Sequence, residues 1–483
     1  MNITIPLDPN NKIPLYEQMI RYLRRAIEEG RLIPGERLPS KRALADHLRV
    51  SISTVETAYA QLVAEGYLTA RARSGFYVEQ QLPGRMPYCG NTPPTALQNG
   101  AVHPEGEVQP SQPVWEETPS EEPVFDFSSN RVDAGRFPFS IWAKLMRQVL
   151  CEDSRRLLEP GPPQGMEELR MAISRYLRSN RGLDVVPRQI VVGAGSETLM
   201  SLLVQLLGHS RIYGVENPGY PKLYQILKSH GVPTRLISMD EAGILIPELE
   251  RQGVSVVHVT PAHHFPLGLS MPAGRRAELL EWAARGNERI ILEDDYDSEL
   301  RYEGRPFPPL ASLDREGKVV YMGSFAKSLA PSFRMGYLVL PPRLAEQYAS
   351  TLSFLSCTLP VIEQLTLARF LAGGYYERHL NRIRKCYRSR RDALVGALSA
   401  SPLSARMTLS GGEAGTHLLL TLRDAEESLL TERAWQAGIR VHGLSEYGYP
   451  ARDNNATLLL GFAGMDQQEL IDAAQHLIEV WAD

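Results

Sequence analysis

The chain has 483 residues, more than one ordinary hydrophobic core accommodates, so two or three folding units are expected. Its composition is 43% hydrophobic and 22% charged, and its formal net charge of -4 excludes a protein wrapped in nucleic acid along its whole length. The start lacks a basic stretch followed by an apolar core, and no run of about 18 uncharged apolar residues follows, so we expect a cytoplasmic protein without membrane contact. The four cysteines have no C-x-x-C or paired spacing, which predicts no metal site and a reducing compartment.

The first predicted unit spans residues 1–78. Apolar residues recur on one face of PLYEQMIRYLRRAIEEG, which predicts a packing helix that ends before a Pro-Gly turn. Ser40 can cap a second helix through KRALADHL, and either Ser51 or Ser53 can cap a third through STVETAYAQLVAEG. Two short capped helices in tandem predict a helix-turn-helix.

The third helix has an apolar stripe that contains Val55, Tyr59 and Leu62, which leaves its N-terminal end exposed. In helix-turn-helix docking, such N-terminal positions reach base edges while nearby cations meet phosphates. The residues predicted to bind DNA in and around the two helices are Ser40, Lys41, Arg42, Ser51, Ser53, Thr54, Thr57 and Tyr59. The alternating string YLTARARSGFYV predicts a hairpin whose Arg71 and Arg73 reach phosphates or the minor groove.

The string RLIPGERLPSKRALADHLRVSISTVETAYAQLVAEGYLTARARSGFYV resembles the GntR-type winged helix-turn-helix over nearly the whole unit. The match is carried by LPS-x-R-x-LA-x-x-L-x-VS and by EGYL. The resemblance implies that the partner is double-stranded DNA at a promoter or operator. That family often places an Arg and an Asn between VS and TV, where this chain has Ile52 and Ser53, which implies an altered base readout.

Residues 79–123 are rich in Pro, Gly, Gln and Glu and show no sustained period, which predicts a flexible linker. From residue 124 to 483, apolar strings such as QIVVGA, SVVHVTP, RIILEDDY, KVVYMGSF and MGYLVLP alternate with helical strings such as ETLMSLLVQLL and RRAELLEWAAR. The alternation predicts a mostly parallel sheet covered by helices. The strings THLLLTL, GIRVHGL and ATLLLGF, with QELIDAAQHLIEVW as a closing helix, add a smaller lobe. The predicted fold class is multidomain, α/β and α+β.

The string KVVYMGSFAKSLAPSFRMGYLVL places Ser324, Lys327 and Arg334 after a strand. A desolvated lysine can condense with an aldehyde, as pyridoxal phosphate proteins require, and a Ser with an Arg can hold the dianionic phosphate. An isolated S-x-x-K is more often a solvated surface loop, so this interpretation depends on three further strings.

The first, QIVVGAGSETLMSLL, runs from a strand through a glycine turn into a helix. At the start of this helix, the backbone N–H groups of Gly195, Ser196 and Glu197 can bind a phosphate. The second, VENPGYPKLY, sets Tyr220 on a turn from which its ring could stack on a pyridine.

In the third string, RIILEDDYDSELRY, a buried strand ends in acidic residues next to Tyr296. A carboxylate there could pair with a pyridinium nitrogen and strengthen the electron sink. Spacing alone does not choose among Asp294, Asp295 and Asp297.

These four strings, in this order, resemble the fold-type I aminotransferase family over roughly residues 125–483. The resemblance implies that Lys327 forms a Schiff base with pyridoxal phosphate, that Asp294 pairs with the ring nitrogen, and that Tyr296 bonds the ring hydroxyl. The other residues assigned to cofactor binding are Gly195, Ser196, Glu197, Tyr220, His264, Ser324 and Arg334.

The string TPAHHFPLG departs from the N-P-x-G of aminotransferases by lacking the Asn. Joined to a GntR-type head, it resembles the MocR/GabR subfamily of bacterial transcription regulators over the whole chain. The resemblance implies a body that senses pyridoxal phosphate, an amine or an amino acid through aldimine chemistry. It also implies a head-to-tail homodimer whose two heads read paired half-sites.

Aminotransferases commonly grip the substrate carboxylate with an Arg before the last helix, where this chain has Leu459 in LLLGFA. Arg452 could substitute, although an exposed surface Arg is the simpler interpretation. Lys222 stands where some relatives place a ligand-contacting Arg, so Lys222 and Arg452 are the candidate effector residues. A working aminotransferase with a DNA-binding head, and a scaffold with an inactive body, stay as alternatives.

Overall fold

A computed structural model describes residues 5–8, 14–71, 75–79, 123–153, 155–304, 307–448 and 455–482. The predicted linker therefore lies almost wholly outside the described residues, as do Arg73 and Arg452. Among the described residues, no helix is both long and apolar enough to cross a membrane. We call residues 14–79 the head and residues 123–482 the body.

The head has the predicted order of three helices and a hairpin. Its elements are α1 (Leu15–Glu28), α2 (Lys41–Leu48), α3 (Ile52–Ala64), β1 (Leu68–Arg71) and β2 (Gly75–Val78). The Ser40 hydroxyl accepts a hydrogen bond from the Ala43 amide at 3.2 Å, so Ser40 caps α2 as predicted. The cap of α3 is Ser51 and not Ser53, because the Ser51 hydroxyl accepts from the Thr54 amide at 3.1 Å.

The body begins with a short strand and continues as alternating strands and helices. Its first elements are β3 (Phe125–Asp126), α4 (Phe139–Glu152), α5 (Glu167–Arg181), β4 (Ile190–Gly193), α6 (Gly195–Leu207), β5 (Tyr213–Asn217), α7 (Pro221–Ser229), β6 (Thr234–Asp240), β7 (Gly243–Ile244), α8 (Ile246–Arg251), β8 (Val256–Val259), α9 (Ala273–Ala284) and β9 (Ile290–Asp295). The elements that follow are α10 (Leu310–Leu313), β10 (Val319–Ser324), β11 (Gly336–Val339), α11 (Pro342–Thr351), α12 (Val361–Ala372) and α13 (Tyr375–Ser399).

The chain ends in the smaller lobe. Its elements are β12 (Met407–Ser410), β13 (His417–Leu422), α14 (Glu427–Gln436), β14 (Ile439–Arg440), β15 (His442–Gly443), β16 (Ala456–Gly461) and α15 (Gln467–Ala482). The string GIRVHGL, predicted as one strand, is divided between β14, which pairs with β3, and β15, which pairs with β16.

The large sheet has the strand order β4-β11-β10-β9-β8-β5-β6-β7. Its central strands are parallel, whereas β11 runs antiparallel to both neighbours and β7 is antiparallel to β6. The smaller sheet, β12-β13-β16-β15, is antiparallel. The predicted mostly parallel sheet and the smaller α+β lobe are both confirmed.

Both faces of the large sheet are buried along its central strands β8, β9 and β10. Leu292 and Val320 belong to one hydrophobic cluster, while their chain neighbours Ile291 and Val319 belong to another on the opposite face. Successive side chains of a strand point to opposite faces, so a sheet covered by helices on both sides needs continuous apolar runs. This requirement accounts for the runs VVHV and IILE in the sequence.

The head rests on the body at the start of α9. The side chain of Ala273 belongs to the hydrophobic cluster of the head, and its amide donates a hydrogen bond to the Glu65 carbonyl at 3.1 Å. The C-terminal end of α3 therefore faces the body, opposite to the end predicted to read DNA.

Candidate functional site

Strand register brings the predicted cofactor residues to one edge of the large sheet. Met322 pairs with Asp294, and Ser324 pairs with Gly336, which in turn pairs with Gly193. The carboxyl ends of β9, β10 and β4 consequently meet there, which is where open α/β sheets bind ligands. The candidate site is built on these strand ends and on the turns that follow them.

The two adjacent aspartates at the end of β9 have different surroundings. Asp294 is partly exposed, and its Oδ2 lies 3.3 Å from His258 Nε2. Asp295 is buried, forms an ion pair with Arg181, and accepts a hydrogen bond from the Tyr321 hydroxyl at 2.6 Å. Burial alone would lower the pKa of Arg181, but the charge of Asp295 raises it above its ordinary value. Asp294 is thus the carboxylate of this pair that remains available to a ligand.

The third aspartate belongs to a buried cluster that the sequence interpretation missed. His263 Nδ1 lies 2.8 Å from Asp297 Oδ2 and 3.2 Å from the Tyr296 hydroxyl. Burial opposes protonation of His263, yet Asp297 raises the pKa of its imidazole. The predicted His264 is also buried, but burial lowers its pKa to about 3. The sequence assigned His264 to cofactor binding and did not name His263, which contacts Tyr296; the repeated His in TPAHHFPLG was the available signal.

Lys327 lies beside this cluster. Its Nζ donates a hydrogen bond at 2.7 Å to the carbonyl of Ser129, which also accepts one from the Thr416 hydroxyl. Burial lowers the pKa of Lys327 to about 8, against the opposing charge of Asp297. A lysine with this pKa has an appreciable neutral, nucleophilic fraction near neutral pH. Ser129 is a second contact that the sequence interpretation did not name.

A cluster of cations stands at the start of α6. Glu197 forms ion pairs with both Lys222 and Arg334, and its pKa is lowered, chiefly by the hydrogen bond with Lys222. Gly195 has φ +85°, and a Cβ placed there would lie 3.2 Å from Arg334 Nη2, so glycine lets the guanidinium approach the helix start. Arg334 itself adopts a left-handed backbone at φ 49°, which is uncommon for a residue with a side chain.

The other predicted phosphate residues lie on the same edge. The Ser324 hydroxyl accepts a hydrogen bond from the Ala326 amide at 3.1 Å, and Ser196 is exposed at the start of α6. Lys222, predicted as an effector residue, belongs to the cluster at the start of α6 because it forms an ion pair with Glu197.

Tyr220 lies between the cation cluster and the acidic strand end. Its ring meets Phe265 edge-on at 6.0 Å between centroids, and half of the side chain is exposed. Burial raises the pKa of Tyr220, and the charges of Lys222, Glu197, Asp294 and Arg334 all act on it. An exposed aromatic face at this point is available for stacking on a planar ring.

These groups fit pyridoxal phosphate. The structure offers a partly buried amine of lowered pKa, a partly exposed carboxylate, an exposed aromatic ring, and an Arg that can approach a helix start because a glycine stands there. When bound, the cofactor supplies an aldehyde that condenses with amines and a ring that withdraws electrons.

The strand position of the missing carboxylate-binding Arg is apolar. Leu459 is fully buried in a cluster with Leu419 and Leu444, which Phe265 and Tyr447 cover. Arg452, the candidate replacement, lies outside the described residues.

The candidate DNA-binding surface is the exposed N-terminal end of α3. The Ser51 hydroxyl lies 2.8 Å from that of Ser53 and 2.7 Å from that of Thr54. The Thr57 hydroxyl donates to the Ser53 carbonyl at 2.9 Å, and all four residues are near solvent. Short polar side chains at the start of a recognition helix suit contacts with base edges.

Two cations lie on the neighbouring helix α2. Lys41 pairs with Glu56 at 2.5 Å, and Arg42 is exposed. Arg71 is the last residue of β1, whereas Arg73 is outside the described residues.

Tyr59 requires a correction. It was predicted to bind DNA as well as to face inward, but its side chain is fully buried. Its hydroxyl donates to the Pro39 carbonyl at 3.0 Å, and its ring packs edge-on against Phe76 of the hairpin at 4.8 Å. Tyr59 follows the apolar stripe of α3, so it belongs to the core of the head and not to the DNA-facing surface.

Two family models match the chain. "Bacterial regulatory proteins, gntR family" matches residues 15–78, and "Aminotransferase class I and II" matches residues 122–477. Among solved structures, kynurenine aminotransferase from Pyrococcus horikoshii shares 29% identity at a TM-score of 0.65, and the match covers 75% of this chain and 91% of that one.

Several curated bacterial regulators match over nearly the whole chain. The pyridoxine biosynthesis regulator PdxR of Corynebacterium glutamicum is 32% identical over 97% of this chain and 96% of its own length. The probable rhizopine catabolism regulatory protein MocR of Rhizobium meliloti is 31% identical over 98% and 94%. TauR of Rhodobacter capsulatus is 30% identical over 95% of both chains.

The order of the two matched domains, the aminotransferase fold of the body and the full-length regulator relatives all lead to one assignment. The chain belongs to the MocR-type transcription regulators, pyridoxal phosphate-dependent proteins in which a DNA-binding GntR-family head is joined to a class I and II aminotransferase body.

Proposed function

We propose that this regulator senses pyridoxal phosphate, or an amine or amino acid that reacts with it, at Lys327 and adjusts operator binding by the head accordingly. The observation that carries the proposal is Lys327 itself, a partly buried amine on the Ser129 carbonyl with a pKa lowered to about 8. Such an amine is prepared to capture an aldehyde at physiological pH. An amine or amino acid is the expected effector class because it competes with Lys327 for the same aldehyde.

The residues around Lys327 have proposed roles in holding the cofactor. Asp294, backed by His258, would pair with the ring nitrogen, and Tyr296, held by His263, would bond the ring hydroxyl. Tyr220 would stack on the ring. Arg334 and Ser324, with the amides of Gly195, Ser196 and Glu197 at the start of α6, would hold the phosphate.

We also propose a homodimer, in which two heads read paired half-sites. Two large apolar side chains, Leu158 and Phe354, are strongly exposed in the body. Gly161 and Val361, which follow these two residues along the chain, lie close together, because a Cβ on Gly161 would lie 3.0 Å from Val361. A second copy that covers this surface would remove it from water.

Spectroscopy of the purified protein tests the sensing proposal. Adding pyridoxal phosphate to the apoprotein is expected to produce a visible absorption band that Lys327→Ala abolishes. The control, Lys385→Ala, removes an exposed lysine of α13 and should keep the band. Amines or amino acids are then titrated into the loaded protein. A spectral change without keto acid release supports a sensor, and repeated turnover supports an aminotransferase. Absence of any band in the wild type would contradict both.

A further inference from the structure

The head contacts the body through the turn after α3 and the start of α9. The amide of Ala273, the first residue of α9, donates to the Glu65 carbonyl at 3.1 Å. First-turn amides of a helix have no partner within the helix, so here the head supplies one. Gly66 has φ +75°, and a Cβ there would lie 2.9 Å from the Ala273 nitrogen. The two backbones are therefore in direct contact, and a side chain on Gly66 would separate them.

Buried polar groups surround this backbone contact. The Glu65 carboxylate is buried and accepts hydrogen bonds from Arg24 at 2.5 Å and from Gln61 at 2.9 Å. On the body side, burial lowers the pKa values of Arg276 and Arg301, and the negative charge of Glu65 opposes that change in both. The charge of the Glu65 carboxylate therefore acts on two arginines of the body.

A single chain segment, residues 260–273, connects this contact with the cofactor site. Near its start, His263 contacts Tyr296 and Asp297, and at its end Ala273 contacts the head. The segment is closed on itself, because the Met271 amide donates to the Pro261 carbonyl at 2.9 Å.

Arg276 fixes both ends of the segment. This buried guanidinium donates to the carbonyl of Met271 at 2.7 Å and to that of Pro261 at 2.9 Å. It also binds the Pro308 carbonyl at 2.5 Å. The two ends of the segment are joined to one another and to α9, so we expect a rotation of His263 to move the whole segment together with the start of α9.

We propose that the segment 260–273 couples the cofactor site to the head, so that a shift of His263 or Tyr296 on cofactor or effector binding changes how α3 docks on α9. The partner surface is the C-terminal end of α3, formed by Gln61, Glu65 and Gly66. This coupling rests on the proposed sensing at Lys327. Because α3 also carries the DNA-facing residues at its other end, a change of docking alters the orientation in which those residues meet DNA.

The substitution Ala273→Asp tests the coupling. An acidic residue suits the first turn of α9, so the body should retain its fold, but the new carboxylate would lie beside Glu65 and repel the head. The control, Ala284→Asp, adds the same charge at an exposed position of α9. If Ala273→Asp fails to fold, Gly304→Asn replaces it. Asn tolerates the φ of +68° there, and its Cβ would overlap Gln61 Oε1.

The measurement is the affinity for DNA from upstream of the protein's own gene, with apoprotein and pyridoxal phosphate-loaded protein, each loading verified by visible absorption. In the wild type and in Ala284→Asp, the two affinities should differ by about 5- to 150-fold, the usual range of allosteric coupling. In Ala273→Asp the ratio should fall to about one, with an unchanged absorption band.

An unchanged ratio in Ala273→Asp and in Gly304→Asn would overturn the coupling alone and leave sensing intact. A wild type that shows the band but equal affinities would overturn the sensing and the coupling together. A wild type without the band would overturn the proposed function at its first step, and the coupling with it.

Discussion

The head and the body place their functional residues in opposite environments. In the head, Ser51, Ser53 and Arg42 lie near solvent, and Ser51 also caps α3. In the body, His263 is buried and Lys327 is partly buried, and burial and the charge of Asp297 act in opposite directions on the pKa of each. The difference indicates that the head acts through surface complementarity, whereas the body acts through buried charges. Substitutions of these body residues should therefore lower stability or shift a pKa, whereas substitutions of DNA-facing head residues other than the cap Ser51 should change DNA affinity with little effect on stability.

The largest effect is expected from the buried ion pair of Asp295 with Arg181. Replacing Asp295 by Ala leaves the guanidinium buried without its charge partner, which should lower the free energy of unfolding by about 3–5 kcal/mol. The neighbouring Asp294→Ala should cost only about 1 kcal/mol, because Asp294 is partly exposed and has a single weak contact. Urea denaturation of both apoproteins measures the difference, and equal losses would contradict the assignment of separate roles.

The next effect is the pH dependence of cofactor capture. The pKa of Lys327 is lowered to about 8, so its reactive neutral fraction increases as pH rises, is about half at pH 8 and is nearly complete from about pH 9. The rate at which the visible band forms in the apoprotein should rise about tenfold per pH unit between pH 6 and 7, and level off above pH 8. Stopped-flow absorption measures this profile. A rise that continues to pH 10 would show an ordinary solvated lysine.

A smaller effect is expected in the head. Ser51→Ala removes the cap of α3 and should lower the stability by about 1 kcal/mol. Ser53 does not cap α3, so Ser53→Ala should leave stability unchanged. It should weaken operator binding by about 1 kcal/mol if Ser53 reaches a base edge. Thermal unfolding and fluorescence anisotropy separate the two, and a stability loss in Ser53→Ala would contradict the assignment of the cap.

The smallest effect is electrostatic. Arg42→Ala should weaken binding about equally on all DNA sequences and reduce the salt slope of log affinity by about 1, because one phosphate contact is lost. Anisotropy titrations at several salt concentrations measure the slope. A loss confined to the operator would instead indicate base contact by Arg42.

Sequence patterns predicted the elements of both regions more completely than they predicted the buried cluster. Ser40 and the strings around Lys327 carry local signals, since caps, turns and apolar runs depend on neighbouring residues. The contact of His263 with Asp297 joins distant segments, and its exact partner depends on the register of β8 and β9. The repeated His was visible, but which of the two faces Tyr296 is decided by the path of the loop.

The aspartates and Tyr59 also show that the surroundings of a side chain depend on packing with distant segments. Asp294 and Asp295 are identical residues next to each other in the sequence. Successive side chains of β9 point to opposite faces of the sheet, so one aspartate faces the site and the other pairs with Arg181. Tyr59 was assigned both to the inward stripe and to DNA, and packing against Phe76 decides for the core. Local periodicity had indicated that answer.

The most direct test of the account compares operator affinity in the wild type and in Lys327→Ala as pyridoxal phosphate is added. The account predicts that affinity changes in the wild type in step with the visible band, and that Lys327→Ala shows neither change. An equal response of both proteins to pyridoxal phosphate would contradict control of the head through Lys327.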